Sequence, residues 1–371
     1  MKLLRTVFLS LLALLGVGLV VLAFTLSYNV ACPSEPAAYN GDRVMRSAIQ
    51  RCYGSPEVVE NTTLPIPDVG PGEILVQVRA ASVNPLDWHY LRGEPYFMRL
   101  ISGIGRNTLQ GVGVDFAGTV VEVGSGVTRF QPGDAVYGGK SGAFSDYVKL
   151  RADGSVAAMP DNIGYAEAAA LPIAAVTALQ ALRDVGGVSA GDRVLVNGAS
   201  GGVGTFAVQL ARNMGAKVTG VCSTRNLAMV RGLGADEVID YTQSDYTRSG
   251  ERWDVIIDAV GNHSPLANRR ALASGGTLVM VGAGKGNWVG PLLNLASAVL
   301  ISQLVDEQLK PFVSGLNGPD LAHLAQLMER GELSPVIDRH YPLSEVREAL
   351  AYSESGRARG KIIIDVNPYE R

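Results

Sequence analysis

The chain has 371 residues, 47% hydrophobic and 18% charged, with a formal net charge of −3. That is too apolar for a disordered chain and long enough for two packed domains. The near-neutral balance excludes a global attraction to nucleic acid, so any bound phosphate must be held locally. Cys32, Cys52 and Cys222 lie far apart, which supports neither a disulfide framework nor a clustered zinc site and predicts buried or idle thiols.

After Lys2 and Arg5 comes the uncharged run TVFLSLLALLGVGLVVLAFTL, residues 6–26. At 1.5 Å per residue, about 20 such residues cross the roughly 30 Å hydrocarbon core of a bilayer. Residues 1–26 are therefore expected to be a membrane anchor, one transmembrane helix in the lipid bilayer giving a single-pass membrane protein. A cleaved secretory signal is the alternative, but its apolar core covers only about 7–15 residues. The side of the membrane stays open. Lys2 and Arg5 favour a cytoplasmic N-terminus, which puts the rest of the chain outside. Residues 27–45, with prolines and small residues and no periodicity, read as a linker.

Residues 46–166 alternate at period two in EILVQVRAASV and FAGTVVEVGSGV, broken by GPGE, GSG and QPGD. This pattern predicts half-buried antiparallel strands with tight turns. Over residues 167–312 the grammar changes to helix-length segments between uniformly apolar strands, RVLVNG, KVTGVC, DVIIDAV and TLVMVG. Such strands suggest a parallel sheet covered on both faces. Residues 313–371 return to mixed structure, ending on the strand GKIIIDV.

Between RVLVNG and the helix VGTFAVQLARNMG lies the loop Ala199, Ser200, Gly201, Gly202, Val203, Gly204. Ala199, Gly201 and Gly204 occupy the three positions of a GxGxxG fingerprint, with alanine in the first. Small residues there allow a tight turn, close approach of backbone N–H groups to a pyrophosphate, and close helix–strand packing. An NAD-preferring site usually ends its second strand in an acid that binds the ribose 2′-hydroxyl. Here the sequence is GVCSTRN, where Ser223 can donate a hydrogen bond and Arg225 can pair with a 2′-phosphate, so NADPH is the expected cofactor.

The ordered set ASVNPLDW, GVDFAGTVVEVGSGVTRFQPGDAVYG, AAALPIAAVTALQAL, NGASGGVGTFAVQLA and LGADEVIDY resembles the medium-chain dehydrogenases/reductases, and most closely their zinc-independent quinone oxidoreductase branch. The resemblance spans nearly everything from Met45 to Val366. It implies an α/β fold in which a GroES-like catalytic β domain (46–166, resumed by 313–371) is interrupted by a Rossmann NADP-binding domain with a doubly wound parallel sheet (167–312). It also places the active site between them. Zinc-dependent members carry a cysteine where this chain has Asn84, and a Gly-His-Glu motif where it has Val114 and Asp115. Valine cannot ligate zinc, so no metal is expected.

The resemblance implies hydride transfer from NADPH to a quinone or α,β-unsaturated carbonyl acceptor. It places Asn84 and Asp87 beside the nicotinamide, Thr177 near its carboxamide, Tyr241 at the 2′-phosphate, and Gly261 and Gly282 facing the cofactor. The residues also allow simpler roles: a turn at Asn84, a helix cap at Asp87, a packed helix position at Thr177. His89 and Tyr90 are both placed to protonate the reduced acceptor, as is solvent. The apolar run 288–305 is expected to line the substrate pocket, form a homodimer contact, or lie against the membrane. Two rival functions remain: a non-catalytic NADPH-binding scaffold, and an NADP-dependent alcohol or aldehyde reductase. NADPH is a cytosolic cofactor, which opposes the orientation that the flanking charges favour.

Overall fold

Two large sheets organise the protein, whose computed structural model describes residues 2–33, 41–282, 286 and 289–367. The first sheet orders its strands as Ile337–Pro342, Lys361–Asp365, Glu73–Val83, Asp115–Val123, Ala135–Gly139 and Val156–Ala158, with Tyr147–Arg151 also pairing to Glu73–Val83. All pairs are antiparallel except the first. The central strand Glu73–Val83 is more buried than its alternation predicts, because a strand with partners on each side also receives the helix Tyr165–Ala169. The final strand returns across the whole chain to this sheet, with Ile362 opposite Val83 and Ile364 opposite Ala81.

The second sheet is parallel throughout, in the order Glu237–Asp240, Lys217–Cys222, Arg193–Asn197, Trp253–Asp258, Leu272–Met280, Gln308–Pro311. Numbered along the chain this is 3-2-1-4-5-6, the doubly wound arrangement expected of a Rossmann unit. Leu195, Val196, Ile256 and Ile257 are fully buried, as continuous apolar strands between two layers of helices must be. Burying each such side chain contributes roughly 1.5–3 kcal/mol, so the sheet is a rigid frame for the loops at its ends. The order reverses between Arg193–Asn197 and Trp253–Asp258, and the loops leaving those two strands form the crevice.

The segment expected over 288–305 is the helix Val289–Ser302, with Trp288 outside the described residues. Ala298 is buried, and Ser302 bonds the backbone of Leu309 on the neighbouring edge strand, so this helix covers a sheet edge.

The N-terminal expectations need two corrections. Lys2–Ser27 is a helix of 26 residues. Among the described residues, however, no helix is long and apolar enough to cross a membrane, the side chains of residues 2–9, 11–13, 15 and 19 lying outside that description. The cysteines are not all idle either, because Cys32 is disulfide-bonded to Cys52 with their Cα atoms 5.1 Å apart. Twenty residues of sequence separation hid a pair that folding brings together. Around that staple, Arg99, buried to 1% exposure, donates to the carbonyls of Leu26 at 2.8 Å and Tyr28 at 3.3 Å. Val30 N donates to Gly105 O at 2.8 Å. Residues 26–32 are thus fastened to the first sheet's unit at several points rather than trailing as a tether.

Candidate active site

The strand Arg193–Asn197 leads through Gly198 to the helix Gly202–Asn213. The positive φ of the turn, +86°, falls on Gly198, one residue before the alanine that replaces the first glycine of the fingerprint. Ala199 is fully buried and keeps a negative φ, so the alanine is tolerated. Gly204 plays the role expected of it, since a Cβ there would lie 2.0 Å from Gly198 O. Gly201 forms a bridge with Gly360, and Gly360 N donates to Ser200 O at 2.9 Å. Gly202 faces Lys361, whose Cδ would be 3.3 Å from a Cβ. The returning C-terminal strand therefore lies directly under the glycine loop, and Val203 follows Gly202 in the first turn of the helix beside it.

Gly261 and Gly282 lie just past the ends of their strands. Gly261 takes φ +70° and donates to Asp258 Oδ1 at 2.9 Å. A Cβ on Gly282 would meet the Val260 carbonyl carbon at 2.7 Å, and one on Gly198 would meet Val260 Cγ2 at 2.7 Å. The predicted cofactor glycines thus form one small-residue floor at the switch point. At the end expected to take the adenosine, Ser223 is half-buried while Arg225 and Tyr241 are exposed, and Tyr241 N donates to Cys222 O at 3.1 Å. No acid follows the second strand, but Asp240, at the end of the third, approaches this turn. It accepts from Thr224 Oγ1 at 2.5 Å and from Thr242 Oγ1 at 2.8 Å, and the Thr224 hydroxyl chiefly holds its pKa low.

The residues placed at the nicotinamide are buried and tightly engaged. Asn84 donates to Asp115 Oδ2 at 2.9 Å and accepts from Lys361 Nζ at 2.6 Å, while Lys361 Nζ lies 3.3 Å from Asp115. Asp115 also accepts from Ser82 Oγ and from the Ile173 backbone N–H, both at 3.1 Å. Both ends of the Asn84 amide are therefore committed to a buried ion pair. Burial pushes Asp115 up and Lys361 down, and the opposite charge of each partner resists the shift. Asp87 accepts from Asn84 N at 2.7 Å, capping the helix Pro85–Arg92 from its first turn. Burial above all raises its pKa to about 7, against the Asn84 N–H bond. Thr177 sits on the helix Pro172–Gln180 with Oγ1 2.8 Å from Ser314 Oγ.

A pocket of about 350 Å³ opens here, walled by Leu86, Asp87, Tyr90, Val114, Ile173 and Leu316. Its aliphatic walls suit a flat apolar ligand. Tyr90 reaches this pocket, whereas His89 turns away, its Nδ1 2.6 Å from Glu94 O and its pKa lowered mainly by burial. Sequence reasoning missed Lys361, whose only signal was a lysine opening an otherwise apolar terminal strand. It missed Lys140 as well, which stands at the pocket rim. Val114, at the place of the metal-binding histidine, presents an aliphatic wall. Among the described residues no group of three His, Cys, Asp or Glu could hold a metal ion.

Two family models match: the alcohol dehydrogenase GroES-like domain over residues 70–179 and the zinc-binding dehydrogenase domain over residues 233–364. The chain is 36% identical to the mouse mitochondrial NAD(P)H oxidoreductase RTN4IP1, covering 85% of this chain and 87% of that protein. It is 32% identical to the chloroplast envelope quinone oxidoreductase homolog of Arabidopsis thaliana, over 87% of this chain and 99% of that one. It belongs to the medium-chain dehydrogenase/reductase superfamily, quinone oxidoreductase-like. The quinone oxidoreductase of Coxiella burnetii superposes with a TM-score of 0.78 at 28% identity, covering 88% of this chain and all of that one. A tomato 2-methylene-furan-3-one reductase is 32% identical over 92% of this chain and 82% of its own length. This member of the superfamily is an NAD(P)H-dependent oxidoreductase that binds a nicotinamide cofactor and a small-molecule substrate.

Proposed function

We propose that this oxidoreductase uses NADPH to reduce a quinone or α,β-unsaturated carbonyl compound without a metal. The observation that carries this reading is the pocket wall at Val114: where a zinc-dependent site needs a ligand, the chain offers methyl groups beside Leu86, Ile173 and Leu316. With no Lewis acid to lower a hydroxyl's pKa, the chemistry that suits the pocket is addition to an acceptor already prone to take a hydride. Bound NADPH supplies that hydride.

The chain's own residues orient, enclose and protonate. The glycine floor at 198–204, 261 and 282 leaves room for the dinucleotide backbone, and Ser223, Arg225 and Tyr241 surround its adenosine end. Asn84 and Thr177 are held rigid by Lys361, Asp115 and Ser314 behind the pocket, which fixes the frame that carries its wall. Tyr90 is one protein group in the pocket that can hand a proton to the reduced oxygen, and Asp87 and Lys140 line the same pocket. NADPH oxidation measured over a panel of quinones, enones and simple aldehydes, before and after exhaustive chelation, tests this. Turnover of quinones or enones should survive chelation. Turnover confined to aldehydes and abolished by chelation would overturn the reading, and tight NADPH binding with no turnover would favour a scaffold.

Membrane association belongs to the same proposal, on the strength of the uncharged run 6–26 and with the side unassigned. Fractionation of cells expressing the full chain should leave it in the membrane pellet. Recovery in the supernatant, with roughly the first 30 residues removed, would identify a signal peptide instead.

A further inference from the structure

The helix Lys2–Ser27 ends against a second apolar surface. Leu26 is buried, and its carbonyl and that of Tyr28 accept from Arg99. Along the helix before it, Leu14, Val17, Val20, Val21 and Phe24 are exposed. The segment that receives the helix turns three more apolar side chains to solvent, Leu100, Ile101 and Ile104, with Ile101 at 76% exposure. The two runs touch: Val30 N donates to Gly105 O at 2.8 Å, and a Cβ on Gly105 would meet Val30 Cγ2 at 2.9 Å. Proteins that live free in water seldom gather exposed apolar side chains in this way, and such a patch marks a contact surface.

Charge decides what covers it. From Thr6 to Ser34 the chain carries no charge, and from Pro95 to Val114 it has no acidic residue. The two cations of the second stretch are divided, since Arg99 is buried and spent on backbone carbonyls while Arg106 is exposed. A lipid surface asks for aliphatic side chains at the acyl boundary, an aromatic ring with a polar tip at headgroup level, and a cation for the phosphates. Leu100, Ile101 and Ile104 supply the first. Exposed Tyr28, stacked on Phe24 with centroids 6.0 Å apart, supplies the second, and Arg106 the third.

The same segment leads into the pocket. Thr108 donates to Ser102 O through its N–H at 2.8 Å and its hydroxyl at 3.0 Å, closing the loop 102–108, and Tyr53 OH donates to Gly103 O at 2.6 Å. Asn107 Nδ2 then donates to the carbonyl of the pocket residue Tyr90 at 3.0 Å. Leu109, the next residue after this closed loop, lines the pocket and is also 38% exposed. We infer that the face formed by residues 28–30 and 100–106 rests on a lipid bilayer, and that an acceptor dissolved in the lipid enters the pocket past Leu109. This rests on the membrane association proposed above, and adds a second contact that fixes how the pocket faces the bilayer.

A fluorescent probe tests the face without turnover. Cys222 is buried and the other two cysteines are joined, so a cysteine introduced at the surface is the reactive thiol. The full chain carrying Ile101→Cys, or Leu266→Cys as an exposed apolar control on the parallel-sheet unit, is labelled with an environment-sensitive fluorophore and reconstituted in vesicles of phosphatidylcholine and phosphatidylglycerol. With lipids spin-labelled near the headgroup, the probe at 101 should shift to the blue and lose most of its emission, while that at 266 keeps its own. Vesicle-bound chain with an unquenched probe at 101 would overturn the face and leave anchoring by residues 6–26 standing. Chain that stays free of the vesicles would overturn both. A blue shift that grows with protein concentration, without lipid quenching, would put a second copy of the chain on the face instead. For the route, Ile101→Ser combined with Ile104→Ser should raise KM about tenfold for a long-tailed quinone held in the vesicles and leave turnover of a short, water-soluble quinone unchanged, which also certifies the fold. An unchanged KM for the long-tailed quinone would overturn entry from the lipid.

Discussion

Lys361→Met should lower stability by about 3–5 kcal/mol, the usual cost of removing one partner from a buried ion pair. Lys361 is 2% exposed and Asp115 fully buried, so neither solvent nor a neighbouring cation can take over when the ammonium is lost. Ser82, Asn84 and the Ile173 N–H would still donate to the stranded carboxylate, but hydrogen bonds do not cancel its charge. Adding Asp115→Asn to Lys361→Met removes both charges and should recover most of the loss. Urea midpoints of the wild type, the two single variants and the double variant give the coupling directly. If Lys361→Met shifts stability by less than about 0.5 kcal/mol, the pair is not the keystone that its burial implies. The expected cost is large because this one contact joins four segments distant in sequence: the strand before Asn84, the strand that begins at Asp115, the helix of Ile173, and the C-terminal return.

Asp87→Asn should change how stability varies with pH. The Asp87 pKa is raised to about 7, mainly by burial, so the native state holds a proton that the unfolded state releases near pH 4. Between those values the folded chain binds more protons than the unfolded chain, and stability must fall as pH rises through that window. The loss is complete above the folded pKa and is on the order of 4 kcal/mol at most. The amide introduced by the substitution keeps an oxygen for the Asn84 N–H and has nothing to titrate. Relative to wild type, the variant should therefore gain stability steadily from pH 4 to pH 7 and hold a constant advantage above it. Parallel curves for the two proteins across that range would show that Asp87 ionises there without penalty.

Much of the architecture was legible because it rests on local rules. Continuous apolar strands alternating with helices can be buried only in a parallel sheet with two covered faces, and the Ala199–Gly204 spacing reports a backbone that must pass close to a phosphate. What was not legible depended on contacts between distant segments. Nothing near Asn84 shows that its amide would be spent on Lys361, 277 positions away. The pairing of Cys32 with Cys52 requires knowing that Arg99 and Gly105 hold the end of the first helix nearby. The positive φ lies at Gly198, just ahead of the fingerprint, because a glycine pattern fixes which side chains are small and leaves open which residue turns. His89 and Tyr90 were indistinguishable in sequence, since neighbours on one short helix point to different sides. Only Tyr90 reaches the pocket.

The acceptors proposed above, quinones and enones, are electrophiles that alkylate thiolates, so an enzyme that handles them risks being consumed by them. The chain has three cysteines. Two are joined to each other, and Cys222 is 1% exposed, with burial chiefly pushing its thiol up to about 11. At neutral pH almost none of it is the nucleophilic thiolate. The disulfide that pins the first helix therefore also withdraws two sulfur atoms from Michael addition, and incubation with excess quinone should leave the mass of the intact protein unchanged until a reductant opens that bond.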